Sequence, residues 1–97
     1  GRSFAVLGMF KDKAVEEVVR ALADRFDRWY LGGLDGPRGQ SAATLAIRVR
    51  SALPDAELAE SPTVHAAYAA AMSDARPDDR VVVFGSFQTV GAILKDR

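Results

Sequence analysis

The stretch that decides the fold is "RVVVFGSFQTVGAIL", residues 80–94. It opens with a continuous apolar run, which is typical of a strand covered on both faces of a sheet. Apolar residues at helical spacing follow at residues 90–94, and only Gly85 and Ser86 separate the strand from the predicted helix. A strand that enters a helix through so short a turn favours a parallel β-α-β arrangement.

The same alternation runs through the rest of the chain. Apolar runs predict strands at residues 3–9 and 28–34, and a more polar run at 55–60 predicts an edge strand. Helical spacing follows each of them, at residues 15–26, 42–53 and 62–72. We therefore predict an α/β, Rossmann-like fold with a mostly parallel sheet of about four strands and helices on both faces. Residues 1–97 are expected to form one domain.

Local signals refine this prediction at the helix starts. Asp12, Ser41 and Ser61 are expected to be N-caps, because their side-chain oxygens can accept N–H groups of a first helical turn. Pro62 is expected at the first position of the third helix, where a missing N–H costs nothing. Met72 is expected on the buried face of that helix.

Composition excludes several classes of protein. Among 97 residues, 48% are hydrophobic and 27% charged, which is typical of a globular domain. The 13 basic and 13 acidic residues balance without a Lys/Arg cluster, so we expect no nucleic-acid partner. There is no cysteine and one histidine, His65, so the usual zinc sites are excluded. No apolar run approaches the ~20 residues of a membrane span, and a cytoplasmic location is expected.

Trp29 and Tyr30 are consecutive aromatic residues of the second predicted strand. Their side chains are expected to enter the core on opposite faces of the sheet. His65 is expected at the surface of the third helix. Asp78 and Asp79 precede the last strand, at its amino end, and are expected to be solvated.

Ligands of open α/β sheets bind beyond the carboxyl ends of the strands. In this chain those ends are the loops at residues 8–13, 32–39, 60–62 and 85–88. Lys11 and Arg38 are the candidate anion ligands there, since a guanidinium suits a carboxylate or a phosphate. The alternative is structural: Lys11 is a solvated neighbour of a capping Asp12, and the glycine-rich loop around Arg38 is a simple connection.

Ser86 has two compatible roles. It is placed to cap the last helix, and the helix N-terminus beside it points free N–H groups towards the ligand edge. A carboxylate fits there. The physical chemistry of a helix end leaves the cap and the anion site equally open.

Three quoted segments resemble a known family: "VLGMFKDK" near the start, "WYLGGLDGPRG" in the second strand and its loop, and "VVVFGSFQTVGAIL" near the end. They are similar to the C-terminal domain of bacterial folylpolyglutamate synthase/dihydrofolate synthase, of the Mur ligase superfamily. The resemblance implies an ATP-dependent ligase that adds L-glutamate to dihydropteroate or folate through an acyl phosphate. It also implies ATP and Mg²⁺ as cofactors of the full-length enzyme.

Carried over by position, the resemblance implies that Ser86 contacts glutamate, with Gly85 and Gln88 in the same pocket; other members have His or Tyr at the position of Gln88. Lys11 and Arg38 remain possible nucleotide or anion contacts on the basis of their positions at the carboxyl edge, and we expect no catalytic residue and no metal ligand in this chain. Two motifs of the family do not occur in the sequence: the Walker A motif, and the Asp-x-x-His-Asn-Pro segment, which in the family contacts glutamate and ATP. We therefore expect a fragment, inactive and without bound cofactor alone, whose partner is the N-terminal ATPase domain of the same protein.

Two other interpretations are weighed against the folate ligase. The chain can be a stand-alone nucleotide- or protein-binding α/β module, since a fold alone does not fix a function. It can also belong to the Mur ligases of peptidoglycan synthesis, which the closing Gly-Ser-Phe segment fits less well.

Overall fold

Strands and helices alternate along residues 1–85, the part of the chain that the computed structural model describes. The strands are β1 (Ser3–Gly8), β2 (Arg28–Gly32), β3 (Leu58–Ser61) and β4 (Arg80–Gly85). The helices are α1 (Val15–Leu22), α2 (Ala42–Ala52) and α3 (Val64–Asp74), and a short 3-10 turn, Ala23–Arg25, follows α1. The helix predicted after β4 lies outside the described residues.

The four strands form one sheet in the order β3-β2-β1-β4. Each neighbouring pair is parallel: Leu7 aligns with Leu31 of β2 on one side and with Phe84 of β4 on the other, and β2 pairs with β3 in the same sense. The predicted parallel α/β sheet is therefore confirmed. The polar strand β3 lies at an edge, as its composition predicts.

Helices cover both faces of this sheet. One core cluster joins α1 and α2 to the face that carries Trp29, and a second joins α3 to the face that carries Tyr30. Each of these two aromatic side chains is 1% exposed, which confirms that they enter the core on opposite faces. The period of two along a strand sends successive side chains to opposite sides.

β4 lies at the other edge of the described sheet, and its residues 81–84 are half-buried. Phe84 stacks on Phe26 with ring centroids 5.6 Å apart and meets the edge of Trp29 at 5.9 Å. Aromatic packing therefore fixes the carboxyl half of β4 against the α1–α2 face.

Of the three N-caps predicted within residues 1–85, one is confirmed. Ser41 Oγ accepts the N–H of Thr44 at 3.1 Å at the start of α2. The prediction for Asp12 is wrong, because α1 starts after Ala14 and the Asp12 carboxylate pairs with Arg38 instead.

The prediction for the start of α3 is also wrong. Ser61 ends β3, since the residue before a proline favours extended backbone. Pro62 consequently precedes the helix, and Thr63 is the cap, accepting the N–H of Ala66 at 3.0 Å.

Two burial predictions are wrong as well. Met72 is 49% exposed, because Val64, Ala67 and Ala71 form the buried stripe of α3 and Met72 falls beside it. Asp79 is not solvated: its side chain is 4% exposed and accepts the backbone N–H groups of Arg2 and Arg76. Those hydrogen bonds lower the pKa of Asp79.

A buried phenol joins the sheet to the end of α3. Tyr30 donates its hydroxyl to Asp74 Oδ2 at 2.6 Å, and Arg28 lies 3.6 Å from the same carboxylate oxygen. Burial and the Asp74 hydrogen bond raise the pKa of Tyr30 to about 12. This contact fixes the carboxyl end of α3 over β2.

Replacing Tyr30 with phenylalanine should lower the free energy of unfolding by about 1 to 2 kcal/mol, because a buried hydrogen bond to a charged acceptor is lost. Urea unfolding measures this, with Tyr68→Phe as the control, since Tyr68 is a half-buried tyrosine of α3 that packs against the same core. Since the raised pKa keeps the phenol protonated, the wild-type advantage should shrink as pH rises from about 10 to about 12. Equal losses in both variants would contradict the assignment.

Candidate functional site

The candidate site is the carboxyl edge of the sheet, where the last residues of all four described strands meet. Gly8 aligns with Gly85, and Gly32 aligns with Ser61. Because the strands are parallel, the loops that follow them open on the same side. The sequence predicted that the loops after the strands lie at one edge of the sheet, and the described loops confirm this.

At the β1–β4 end of this edge, the backbone requires glycine. Gly85 has a φ of +137°, a conformation that residues with a side chain rarely adopt. A Cβ atom at Gly85 would also collide with the carbonyl oxygen of Gly8. The two main chains therefore approach closely just before Ser86. Ser86 and Gln88 themselves lie outside the described residues.

The loops after β1 and β2 contact each other in the middle of the edge. The N–H of Lys11 donates to the carbonyl oxygen of Arg38 at 2.8 Å. Arg38 donates to an Asp12 oxygen at 3.0 Å, and its guanidinium lies 4.6 Å from the centre of the Phe10 ring. The structure thus brings together Lys11 and Arg38, which the sequence singled out on separate loops.

The guanidinium of Arg38 is exposed and is held over an aromatic ring. Its side chain is 58% exposed, and the aromatic ring beneath the guanidinium restricts its position without using its hydrogen-bond donors. Asp12 is 56% exposed, so this ion pair faces solvent and contributes little to stability. A phosphate or carboxylate can replace Asp12 as the partner of Arg38.

A cleft of about 600 Å³ occupies the β2–β3 end of the edge. It lies between residues 33–36, 39–43 and 60–62, so the first turn of α2 forms one wall. Carboxylates of Asp35 and Glu60 line the cleft, and helix N–H groups face it, which gives it both acceptors and donors.

Gln40 was missed by the sequence analysis. It is 7% exposed, and its Nε2 donates to the carbonyl oxygen of Met9 at 2.9 Å, which joins the ends of β1 and β2. Its Oε1 is buried without a hydrogen-bond partner among the described residues. A polar residue between a glycine and a helix cap carries no pattern that distinguishes it from an ordinary loop residue.

A second contact that the sequence did not predict is the Arg48 clamp, formed by Arg48, Glu16 and the loop of residues 11–13. From α2, Arg48 donates to both oxygens of Glu16 at 3.0 and 2.9 Å. The same guanidinium donates to the carbonyl oxygens of Lys11 at 3.0 Å and Lys13 at 2.8 Å. The hydrogen bonds from Arg48 lower the pKa of Glu16 to about 2.

The remaining candidates lie away from the edge or on its periphery. His65 is exposed in the first turn of α3, as predicted. Asp78 and Asp79 lie at the amino edge, next to the chain start. Within residues 1–85, no cluster of three or more His, Cys, Asp or Glu side chains is placed to hold a metal ion. None of the described helices has the length and apolar character to cross a bilayer.

Comparison with known proteins identifies the family. Residues 1–87 match the family described as "Mur ligase, glutamate ligase domain". The chain belongs to this family. The resemblance expected from the sequence is therefore confirmed.

Three relatives illustrate the similarity. The dihydrofolate synthase/folylpolyglutamate synthase of Escherichia coli (strain K12) is 36% identical over 95 residues, covering 98% of this chain and 21% of the relative. The solved E. coli FolC in complex with DHPP and ADP has a TM-score of 0.87 and 35% identity, over 99% of this chain and 22% of that one. A bifunctional folylpolyglutamate synthase/dihydrofolate synthase with Mn, AMPPNP and L-glutamate bound has a TM-score of 0.80 at 35% identity, with the same coverage of 99% and 22%. The chain thus spans about a fifth of the length of its relatives.

The close approach at Gly85 is testable. Gly85→Ala should lower the free energy of unfolding by about 2 to 3 kcal/mol, because it adds backbone strain and a clash with Gly8. Gly36→Ala is the matched control, since Gly36 also has a positive φ, +92°, but open space around it. It should cost about 1 kcal/mol. Urea unfolding of both variants measures the difference, and equal losses would refute the close approach.

The Glu16–Arg48 contact should give the stability a specific pH dependence. A carboxyl group whose pKa falls from 4.5 to about 2 on folding stabilises the protein fully above about pH 4.5 and loses this effect as pH falls towards 2. Glu16→Gln should therefore be less stable than wild type at neutral pH and nearly equal to it at about pH 2. Urea midpoints across this range measure the effect. Glu17→Gln, on the exposed side of α1, controls for the loss of charge.

Proposed function

We propose that this chain is the glutamate-ligase domain of an ATP-dependent ligase that joins L-glutamate to dihydropteroate or folate. The observation that carries the proposal is the identity of 36% over 95 residues with the E. coli dihydrofolate synthase/folylpolyglutamate synthase. The open carboxyl edge supports it, because the residues singled out for ligand contact lie on that edge or directly after it.

In this proposal residues 1–97 form one domain of a longer protein. The coverage of 21% of the E. coli relative supports this, since a complete ligase of that kind has about five times this length. A second domain of the same protein binds the nucleotide and activates the acceptor carboxylate. This chain contributes the glutamate side of the cleft and has no ligase activity alone.

Glutamate is proposed to bind at Gly85, Ser86 and Gln88. The position of Gly85 supports the first part, because this residue ends β4 at the carboxyl edge of the sheet, where ligands of parallel sheets bind. Ser86 then supplies a hydroxyl donor for a carboxylate of glutamate. The helix predicted after it adds N–H groups and the positive end of its dipole.

Lys11 and Arg38 are proposed to contact the nucleotide phosphate or another anionic group of the substrates. Their position supports this role, since their loops are hydrogen-bonded together and the Arg38 fork is exposed. The described residues fit an anion and do not fit Mg²⁺, because they contain no acidic cluster of the required size. ATP supplies the phosphoryl group that turns the acceptor carboxylate into a good electrophile, and the metal belongs to the other domain.

We further propose that the protein works in the cytoplasm, without a nucleic-acid or membrane partner. The balance of 13 basic against 13 acidic residues supports the absence of a nucleic-acid partner. The lack of cysteine is compatible with a reducing compartment.

Ser86→Ala in the full-length ligase tests the glutamate site. The KM for glutamate should rise about tenfold, which corresponds to the loss of one hydrogen bond to a charged group, about 1.5 kcal/mol. The KM for ATP should stay within about twofold. Steady-state kinetics with each substrate varied in turn measure both values.

Ser73→Ala is the matched control, since Ser73 is exposed near the carboxyl end of α3, away from the ligand edge. It should leave both KM values unchanged. If Ser86→Ala raises neither KM and leaves kcat intact, glutamate binds elsewhere. If the wild-type protein forms no folate–glutamate product with ATP, the proposed function itself fails.

A further inference from the structure

The Arg48 clamp contains more hydrogen bonds than the ion pair between Arg48 and Glu16 requires. A partly exposed Arg–Glu pair is satisfied by the two hydrogen bonds to Glu16, and such pairs contribute little to stability. Arg48 uses two further donors on main-chain carbonyl groups of the loop before α1. Its planar fork makes this possible, and a lysine ammonium cannot reproduce it.

The two carbonyl groups belong to the residues on either side of Asp12. Holding both fixes the orientation of the peptide units that carry residues 11–13. Their side chains consequently remain exposed at the carboxyl edge. Because Glu16 balances the charge of Arg48, the clamp fixes the loop without adding net charge beside the ligand edge.

Both proposed anion ligands depend on this loop. Lys11 is part of it, and Arg38 is tied to it twice, through the N–H of Lys11 at 2.8 Å and through the Asp12 carboxylate at 3.0 Å. Arg48 itself is engaged in four hydrogen bonds, so it acts on a ligand through these residues rather than by contact.

We propose that Arg48 is a positioning residue of the ligase: it holds the loop of residues 11–13 so that Lys11 and Arg38 converge on one anionic group of a substrate. That group is a nucleotide phosphate or a carboxylate of the amino acid. The inference rests on the proposed function, because positioning matters only if the edge binds these substrates.

The first experiment is Arg48→Lys in the full-length ligase, with Arg50→Lys as the matched control on the exposed side of α2. The KM for one substrate should rise at least about fivefold while kcat stays within about twofold. A rise confined to ATP assigns the anion as a phosphate, and a rise confined to glutamate assigns it as a carboxylate. A merely structural role would lower the folded fraction, and therefore kcat, without moving either KM; that result overturns the proposal.

The second experiment does not depend on activity. Hydrogen exchange at the amides of Lys11 and Lys13, which donate to Arg38 and Phe10 carbonyl groups, reports the loop directly. Arg48→Lys should speed exchange at these two amides at least about tenfold, with β1 amides and the Arg50→Lys variant unchanged. Unchanged loop exchange, or an equal acceleration everywhere, overturns the clamp. If wild-type protein lacks ligase activity, the proposed function fails, and the exchange data still decide whether Arg48 fixes the loop.

Discussion

The structure depends on β1, the strand that is hydrogen-bonded on both edges. Its residues 4–7 are each 0% exposed, so the strand is enclosed by β2 and β4 at its sides and by helices above and below. Ala5 and Leu7 belong to the core under α1 and α2, and Phe4 and Val6 belong to the core under α3. A shift of one residue would exchange these two sets, and neither core would accept the other's side chains.

This fixed register also determines the ligand edge. Because β1 is central, its last residue, Gly8, lies beside Gly85 of β4 on one side, and the loop that follows contacts the loop of Arg38 on the other. The order along the edge is therefore the β2–β3 cleft, the Lys11–Arg38 contact and the Gly8–Gly85 approach. The last two features therefore lie side by side at one edge of the sheet, at and after the end of β1.

The sequence predicted the features that depend on short-range patterns. Continuous apolar runs identified β1, β2 and β4, and the Ser41 cap followed from its spacing to the helix. The same reasoning was wrong for Asp12 and Ser61, although both side chains have the right chemistry for a cap. Asp12 pairs with Arg38 instead. Ser61 has extended backbone because Pro62 follows it. An oxygen near a helix start has several available partners, and tertiary structure selects among them.

The location of the candidate site was predictable from the sequence, but the contacts within it were not. The parallel topology placed Lys11 and Arg38 at one edge, because the carboxyl ends of parallel strands coincide. Their direct contact was not predictable, and neither was the Arg48 clamp, whose partners Glu16 and Arg48 are 32 residues apart. The helical and strand periods relate only residues that are close in sequence, so they cannot predict a contact over this separation. It follows from the packing of α1 against α2, which the sequence implies only in outline.

The two ion pairs at this edge differ in a way that suits ligand exchange. The side chains of Arg38 and Asp12 are 58% and 56% exposed, whereas those of Arg48 and Glu16 are 23% and 32% exposed. The guanidinium of Arg48 also holds the loop of residues 11–13 through two carbonyl groups. An incoming anion therefore competes with Asp12 for Arg38 at little cost, since a solvent-exposed pair is weak. It leaves the more shielded pair intact, because four of the five N–H groups of Arg48 are already hydrogen-bonded within the clamp. In the proposed function, the loop of residues 11–13 keeps its position while Arg38 changes partner, so an anionic substrate binds and leaves without rebuilding the site.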